Sequence, residues 1–171
     1  MSQKESNAKI ELRNQRVSDA KRFFEILNNP NFTYFDICPK DVEAEKEFLR
    51  LNTDKRKNNI EYNYAILYNT KLIGGCGIAI NQRRKYIGEM GYFIDEAYWG
   101  QGIAIKAVKL LENLAFKTFL LKRIEILMNP KNIASEKVAI KCGYKKEGTM
   151  KKVIKDKDRF ADAYLYAKVI E

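Results

Sequence analysis

GYFIDEAYWGQGIAIKAVKLL, residues 91–111, changes its periodicity partway along. Its first residues end a strand that runs over Lys85–Asp95, and Glu96–Gln101 is a glycine-containing loop. From about Gly102 to Phe119 the apolar residues Ala104, Ala107, Val108, Leu111, Leu114 and Ala115 recur at i, i+3 and i+4, the mark of an amphipathic helix. The loop thus joins a strand to a helix N-terminus, where unpaired N–H groups and a partial positive charge can receive an anion. Glycines let the backbone approach a phosphate closely, so Trp99–Ala104 can cradle a pyrophosphate. A plain strand-to-helix turn reads the same way when taken alone. No third glycine completes a G-x-G-x-x-G, and no Gly-Lys-Ser/Thr makes a P-loop.

Beyond this helix, Arg123–Met128 reads as a strand. A helix connects it to the preceding strand, so the two should be parallel. Asn129-Pro130 ends it, because the residue before proline favours extended backbone. Asn132–Lys141 is a short helix closing at Gly143, and Tyr144–Ile154 with Phe160–Val169 forms a hairpin turning at Lys155–Asp158. Upstream, Tyr62–Tyr68 alternates as a strand, Asn69-Thr70 turns tightly, and Lys71–Ile80 returns, bent at Gly74, Gly75 and Gly77. Ile10–Arg13 is a short first strand. Ser18-Asp19 is placed to cap a helix through Ala20, Phe23, Phe24 and Leu27, and Asp41 to cap a second over Val42–Lys57. The order β-α-α-β-β-β-α-β-α-β-β describes an α/β fold: one mixed sheet with helices on both faces. Residues 10–171 make a single domain, with the polar Met1–Lys9 as a frayed end.

The sequence of 171 residues contains no histidine, which excludes Ser-His-Asp and Cys-His catalysis and His-ligated metals. Proton transfer must fall to Glu, Asp, Tyr, Cys, Lys or water. Cys38, Cys76 and Cys142 are odd in number and far apart, so free thiols are expected rather than a disulfide framework or a zinc site. The net charge of +10 is spread along the chain and reads chiefly as a lysine-rich surface; no nucleic-acid motif accompanies it. No apolar run is long enough to span a bilayer and no secretory leader opens the chain, so the expected location is the cytoplasm. A homodimer is compatible with all of this.

The segment Gly91–Leu111 resembles motif A of the GCN5-related N-acetyltransferase (GNAT) family, Q/R-x-x-G-x-G/A followed by an Ala-rich helix. NPKNIASEKVAIKCGYKKEG, residues 129–148, is similar to the N-x-x-S … K-x-G-F/Y … G segment of the RimJ/RimL subgroup, in the same order and spacing. Trp99 stands where the wider superfamily has Gln or Arg, so phosphate binding would rest on the backbone N–H groups of Gln101, Gly102, Ile103 and Ala104.

The resemblance implies a GNAT-like fold with a splayed parallel strand pair, acetyl-coenzyme A as co-substrate and no metal. It places pantetheine as an added strand near Phe93 and Ile94, both of which also read as core. Asn132 would bond the pantetheine arm, cap the short helix, or do both. Ser135 would protonate the leaving thiolate or bond its sulfur; a first-turn capping serine is the alternative. Many superfamily members carry a tyrosine four residues further on, where this chain has Ala139. Glu89 is the implied base through water, roughly 17 Å along the strand from Ile94, against a surface carboxylate as the alternative; Glu125 is the weaker candidate. With no nucleophile positioned, direct transfer is expected.

The acceptor is an amine, of which a ribosomal-protein N-terminus is the subgroup's best-known type; polyamines, amino sugars and antibiotics are the alternatives, together with a non-catalytic acetyl-coenzyme A-binding homologue. Acceptor specificity should lie in residues 29–41 and 151–163, with Phe32, Tyr34, Phe35 and Phe160 as pocket walls or core. The basic charge argues mildly against polycations unless the pocket is locally acidic.

Overall fold

A computed structural model of the chain describes residues 8–34, 38–156 and 159–171. The strand order in the sheet is β1-β2-β3-β4-β5-β7-β6. The strands are β1 (Ile10–Asn14), β2 (Glu61–Tyr68), β3 (Lys71–Ile80), β4 (Ile87–Ile94), β5 (Arg123–Met128), β6 (Lys145–Asp156) and β7 (Arg159–Val169). Every neighbouring pair is antiparallel except β4 and β5, which are parallel as the intervening helix requires.

The helices are α1 (Ala20–Leu27), α2 (Val42–Arg50), α3 (Asn52–Lys57), α4 (Ile103–Lys117) and α5 (Ile133–Lys141). One face of the sheet packs on α4, whose Val108 and Leu111 are fully buried with Ile78 of β3 and Ile124 of β5. The other face packs on α1 and α2 through Ala20, Phe23, Leu49 and Ala65, with Phe93 against them. Residues of this size each contribute roughly 1.5–3 kcal/mol by leaving water, and the two clusters clamp the sheet from both sides.

Several boundaries differ from the sequence reading, each for a local reason. The stretch Val42–Lys57 is two helices joined at Leu51, not one. Asn52 opens the second and is drawn inward, where it donates to Gln15 Oε1 (2.9 Å) and accepts from Asn63 Nδ2 (3.0 Å). Asp41 caps α2 as expected, its Oδ1 accepting from the Ala44 N–H at 2.8 Å. Asp19 does not cap α1 with its side chain. Its carboxylate instead receives both Arg13 nitrogens, at 2.8 and 3.0 Å, and the Arg16 N–H at 2.8 Å. Asn69 and Thr70 both take positive φ, the backbone that a tight two-residue hairpin turn needs. Lys9 is not frayed: its backbone exchanges two hydrogen bonds with Asn69. Residues 1–7, Phe35, Asp36 and the tip of the β6–β7 turn at residues 157–158 lie outside the described residues.

Candidate active site

The parallel pair β4–β5 is short. It pairs only at Ile87 with Arg123, Gly88 with Ile124 and Glu89 with Glu125. Beyond that point β5 stays bound to β7 as far as Met128, whereas residues 90–94 of β4 have no partner on this side. The two strands therefore open as a wedge, its vertex at Glu89 and Glu125 and its mouth toward Ile94 and the glycine loop.

At the mouth, α4 starts on Gly102, which has φ +72° and no side-chain cap. Gly100 has φ +73°, and a Cβ at either glycine would meet no atom within 4 Å. The glycines are thus required by backbone conformation and not by crowding within the protein. No acidic residue occupies the first turn of α4. Its leading N–H groups and dipole are unopposed, which suits an anion at Gln101, Gly102, Ile103 and Ala104. Trp99 does not point a polar group at this anion position. Its indole N–H donates to the Ile94 carbonyl at 2.6 Å, and its ring lies 5.6 Å from that of Phe32.

Backbone alternation along β4 corrects one expectation. The Phe93 carbonyl lies against Gly74 of β3, where a Cβ would sit 2.2 Å from it, and the Asp95 N–H donates to Ile73. Odd-numbered residues here turn their backbone groups toward β3. Tyr92 and Ile94 consequently face theirs into the wedge. The Phe93 ring lies edge-on to Phe23 at 5.8 Å and to Phe32 at 6.5 Å. Ile94 keeps its expected place on the open edge, sharing its carbonyl with Trp99.

The side chains alternate too. Met90 and Ile94 are buried on the α4 face. Glu89, like Phe93, lies on the α1–α2 face, in a recess of about 210 Å³ lined by Ala79, Ile80, Asn81, Ile87 and Glu125. One side of Glu89 is open to solvent, yet packing of its carboxyl raises the pKa, and the neighbouring Glu125 carboxylate raises it further. Glu125 is held by Arg123, whose Nε is 2.6 Å from Oε1, and Arg123 also grips Glu147 with its other two nitrogens. These contacts lower the Glu147 pKa, with the Arg123 hydrogen bond as the main cause. Two carboxylates on one guanidinium, with Glu89 beside the first, leave this corner with more carboxylates than cations on a strongly basic protein.

Opposite the wedge, Asn132 caps α5: its Oδ1 accepts from the Ser135 N–H at 3.1 Å. The Ser135 hydroxyl lies 3.0 Å from the Tyr92 hydroxyl. The phenol O–H can also donate to the Ser135 carbonyl, 3.3 Å away. Burial pushes the Tyr92 pKa up to about 12 despite the opposing Ser135 bond. Sequence reasoning missed Tyr92. In an alternating strand a tyrosine reads as core, and nothing in the spacing announces that α5 lies above it. Ala139, at the position where many superfamily members carry a tyrosine, is fully buried in the same cluster.

The site thus gathers the glycine loop, Ile94, Asn132, Ser135 and Glu89 around one wedge, with Ser135 and Glu89 approached from opposite faces. Among the aromatics expected as pocket walls or core, Phe32 packs beside the wedge, against Trp99 and Phe93. Tyr34 and Phe160 are exposed, the latter at 54%. The loop carrying Phe32 is tied down by Asn29 and Asn31, which donate to Glu96 at 2.6 and 2.8 Å. Arg22 of α1 pairs with Asp95. No helix among the described residues is long and apolar enough to cross a membrane.

Residues 9–145 match the family described as acetyltransferase (GNAT) domain. Several relatives share most of their length with the chain. A Bacillus subtilis (strain 168) protein named probable N-acetyltransferase YjcK is 30% identical over 155 residues, 85% of this chain and 86% of that one. A Bacillus licheniformis protein named uncharacterized N-acetyltransferase p20 is 27% identical over 163 residues, 93% and 92% of the two chains. Among solved structures, RimL, the ribosomal L7/L12 alpha-N-protein acetyltransferase in complex with coenzyme A, superposes with a TM-score of 0.86 at 22% identity, covering 96% of both chains. The wedge between β4 and β5 and the uncapped start of α4 are therefore features of a chain that belongs to the GNAT acetyltransferase family.

Proposed function

We propose that this protein takes acetyl-coenzyme A as co-substrate and transfers its acetyl group directly to a protein N-terminal α-amine of the ribosomal-protein type, in the cytoplasm. The observation that carries this reading is the wedge: an anion-ready helix start at its mouth and a pair of carboxylates at its vertex. The backbone N–H groups of Gln101, Gly102, Ile103 and Ala104 take the pyrophosphate. The open edge at Tyr92 and Ile94 pairs with the pantetheine amides as a strand would. The Asn132 side-chain amide, with its oxygen spent on the helix cap, bonds the same arm through its N–H groups. This direction brings the thioester toward the vertex, so the roughly 17 Å between Ile94 and Glu89 is spanned by the arm itself.

The amine arrives on the Glu89 face. Its nitrogen attacks the thioester carbon, the C–N bond forms, and the C–S bond breaks with its electron pair going to sulfur. Glu89, acting through water, takes the proton that nitrogen must lose. Ser135 donates a hydrogen bond to the departing sulfur. A thiol of pKa about 8.5 leaves as a thiolate without needing the far less acidic proton of a serine.

The same arithmetic supports an α-amine. With a pKa near 8, roughly one α-amine in ten is neutral at pH 7, far more than for a lysine-type amine near 10.4. A carboxylate working through water suits the former. The acidic corner attracts the rest of the ammonium population. An acceptor screen tests the assignment by reading free thiol release and acceptor mass with N-terminal peptides, polyamines and aminoglycosides. Release with peptides, each gaining one acetyl at its α-amine, is expected. Release with polyamines or aminoglycosides alone would overturn it.

A further inference from the structure

We propose that Tyr92 is a positioning residue for the leaving group, orienting the Ser135 hydroxyl so that its proton points at the departing sulfur. The proposal rests on the role given to Ser135 above and adds a residue that no comparison assigns.

The two side chains come from different elements and meet across the wedge. Tyr92 lies on the unpaired stretch of β4 and is directed at the α5 face, where its oxygen is 3.0 Å from Ser135 Oγ and 3.3 Å from the Ser135 carbonyl. A phenol has one proton and a serine hydroxyl has one. Two acceptors lie within reach of the phenol proton, Ser135 Oγ at 3.0 Å and the Ser135 carbonyl at 3.3 Å; given to the nearer, Oγ, it leaves the serine proton free to serve the sulfur. Without Tyr92, the Ser135 hydroxyl is free to rotate and to bond carbonyls of its own helix, as serines within helices do. Burial keeps the phenol protonated across the working pH range, so it remains a donor. The arrangement supplies from the sheet what Ala139, buried and without a polar atom, cannot supply from α5.

No proton changes hands between Tyr92 and Ser135. As the C–S bond breaks, negative charge grows on sulfur, the Ser135 bond to it shortens, and the Tyr92 bond to Ser135 strengthens with it. Hydrogen bonds in a chain polarise one another in this way.

The test combines Tyr92→Phe, Ser135→Ala and the double variant. Ser135→Ala should lower kcat by about 10²-fold, as loss of one transition-state donor does elsewhere. Tyr92→Phe should lower kcat by about 10-fold, in line with one hydrogen bond that strengthens with charge, and leave KM for acetyl-coenzyme A unchanged. The double variant should be no slower than Ser135→Ala, because Tyr92 acts only through that hydroxyl. A double variant slower by the product of the two losses would overturn the proposal.

A second readout needs no turnover. Thiolate absorbance of bound coenzyme A should titrate up to about one pH unit higher in Tyr92→Phe than in the unaltered protein. An unchanged titration would overturn the proposal even if kcat fell. Should Tyr92→Phe fold poorly, difluorotyrosine at position 92, a stronger donor, should move the same titration lower; no movement would count against the proposal. If instead Ser135→Ala is fully active while calorimetry still shows acetyl-coenzyme A binding, the assignment of Ser135 fails and the proposal fails with it. Loss of binding altogether in the unaltered protein would implicate the functional reading itself.

Discussion

The two faces of the sheet are built differently around the same wedge. The α4–α5 face holds the glycine loop, Asn132, Ser135 and Tyr92, all within residues 92–135, and relies on backbone groups, a helix start and a cap. The α1–α2 face holds Glu89 and Phe93 from β4, Phe32 from the loop after α1, Glu125 and Arg123 from β5, and Glu147 from β6. It relies on side chains gathered from distant parts of the chain. Backbone devices tolerate almost any side chain but no change of backbone; side-chain devices are the reverse. Substitutions on the two faces should therefore fail in different ways.

The largest effect is expected at Gly102. Gly102→Glu forces a non-glycine residue to φ +72° and puts a carboxylate against the helix start. Calorimetry should show loss of acetyl-coenzyme A binding, whereas Gly102→Ala, with strain but no charge, should weaken it much less. Equal and undiminished affinity in both would remove the glycine loop from the site.

Next in size is Glu89→Gln. Its kcat should fall by about 10²-fold or more with acetyl-coenzyme A affinity intact, so this face breaks in turnover and not in cofactor binding. The pH dependence carries a sign. The Glu89 pKa is raised, so the unaltered enzyme should lose activity as pH falls through a value above the usual carboxylate range, and the variant should lack that limb. Stability moves the opposite way. Between the unfolded and folded pKa values of Glu89 the folded state binds more protons, so its ionisation costs stability as pH rises through that window. Glu89→Gln should therefore melt higher than the unaltered protein at pH 7, and the difference should shrink below pH 4. A variant that melts lower at pH 7 would contradict the environment assigned to this carboxylate.

The smallest effect is expected for Phe32→Ala, at the seam between the faces. Phe32 touches Trp99 and Phe93. Removing it should raise acceptor KM by about 5- to 10-fold, on the scale of one or so kcal/mol of aromatic contact, and change kcat little. A larger change in acetyl-coenzyme A KM than in acceptor KM would move Phe32 to the other face.

The same asymmetry explains what could be read from the sequence. Contiguous periodicity reveals contiguous structure: Arg123–Met128 has the same bounds in sequence and structure, and α4 differs by one residue at its start and two at its end. The spacing of Asn132 and Ser135 is that of a helix start, and Asn132 does cap α5. Strand alternation alone does not say which residues turn their backbone toward the unpaired edge, so the sequence marks neither Tyr92 nor the difference between Phe93 and Ile94. That parity depends on β3 and Gly74, far upstream. The break at Leu51 was hidden because Asn52 looks like a surface residue until Gln15 and Asn63 close around it. The acidic corner at the wedge vertex was invisible in a net charge of +10, because register alone sets Glu125 beside Glu89, and Arg123 then draws in Glu147.

The most direct test of the account is a two-substrate initial-rate study with acetyl-coenzyme A and an N-terminal peptide, followed by mass analysis of both peptide and protein. Direct transfer across the wedge predicts intersecting double-reciprocal lines, one acetyl group on the peptide α-amine and none on the protein. Parallel lines with an isolable acetyl-enzyme would contradict it.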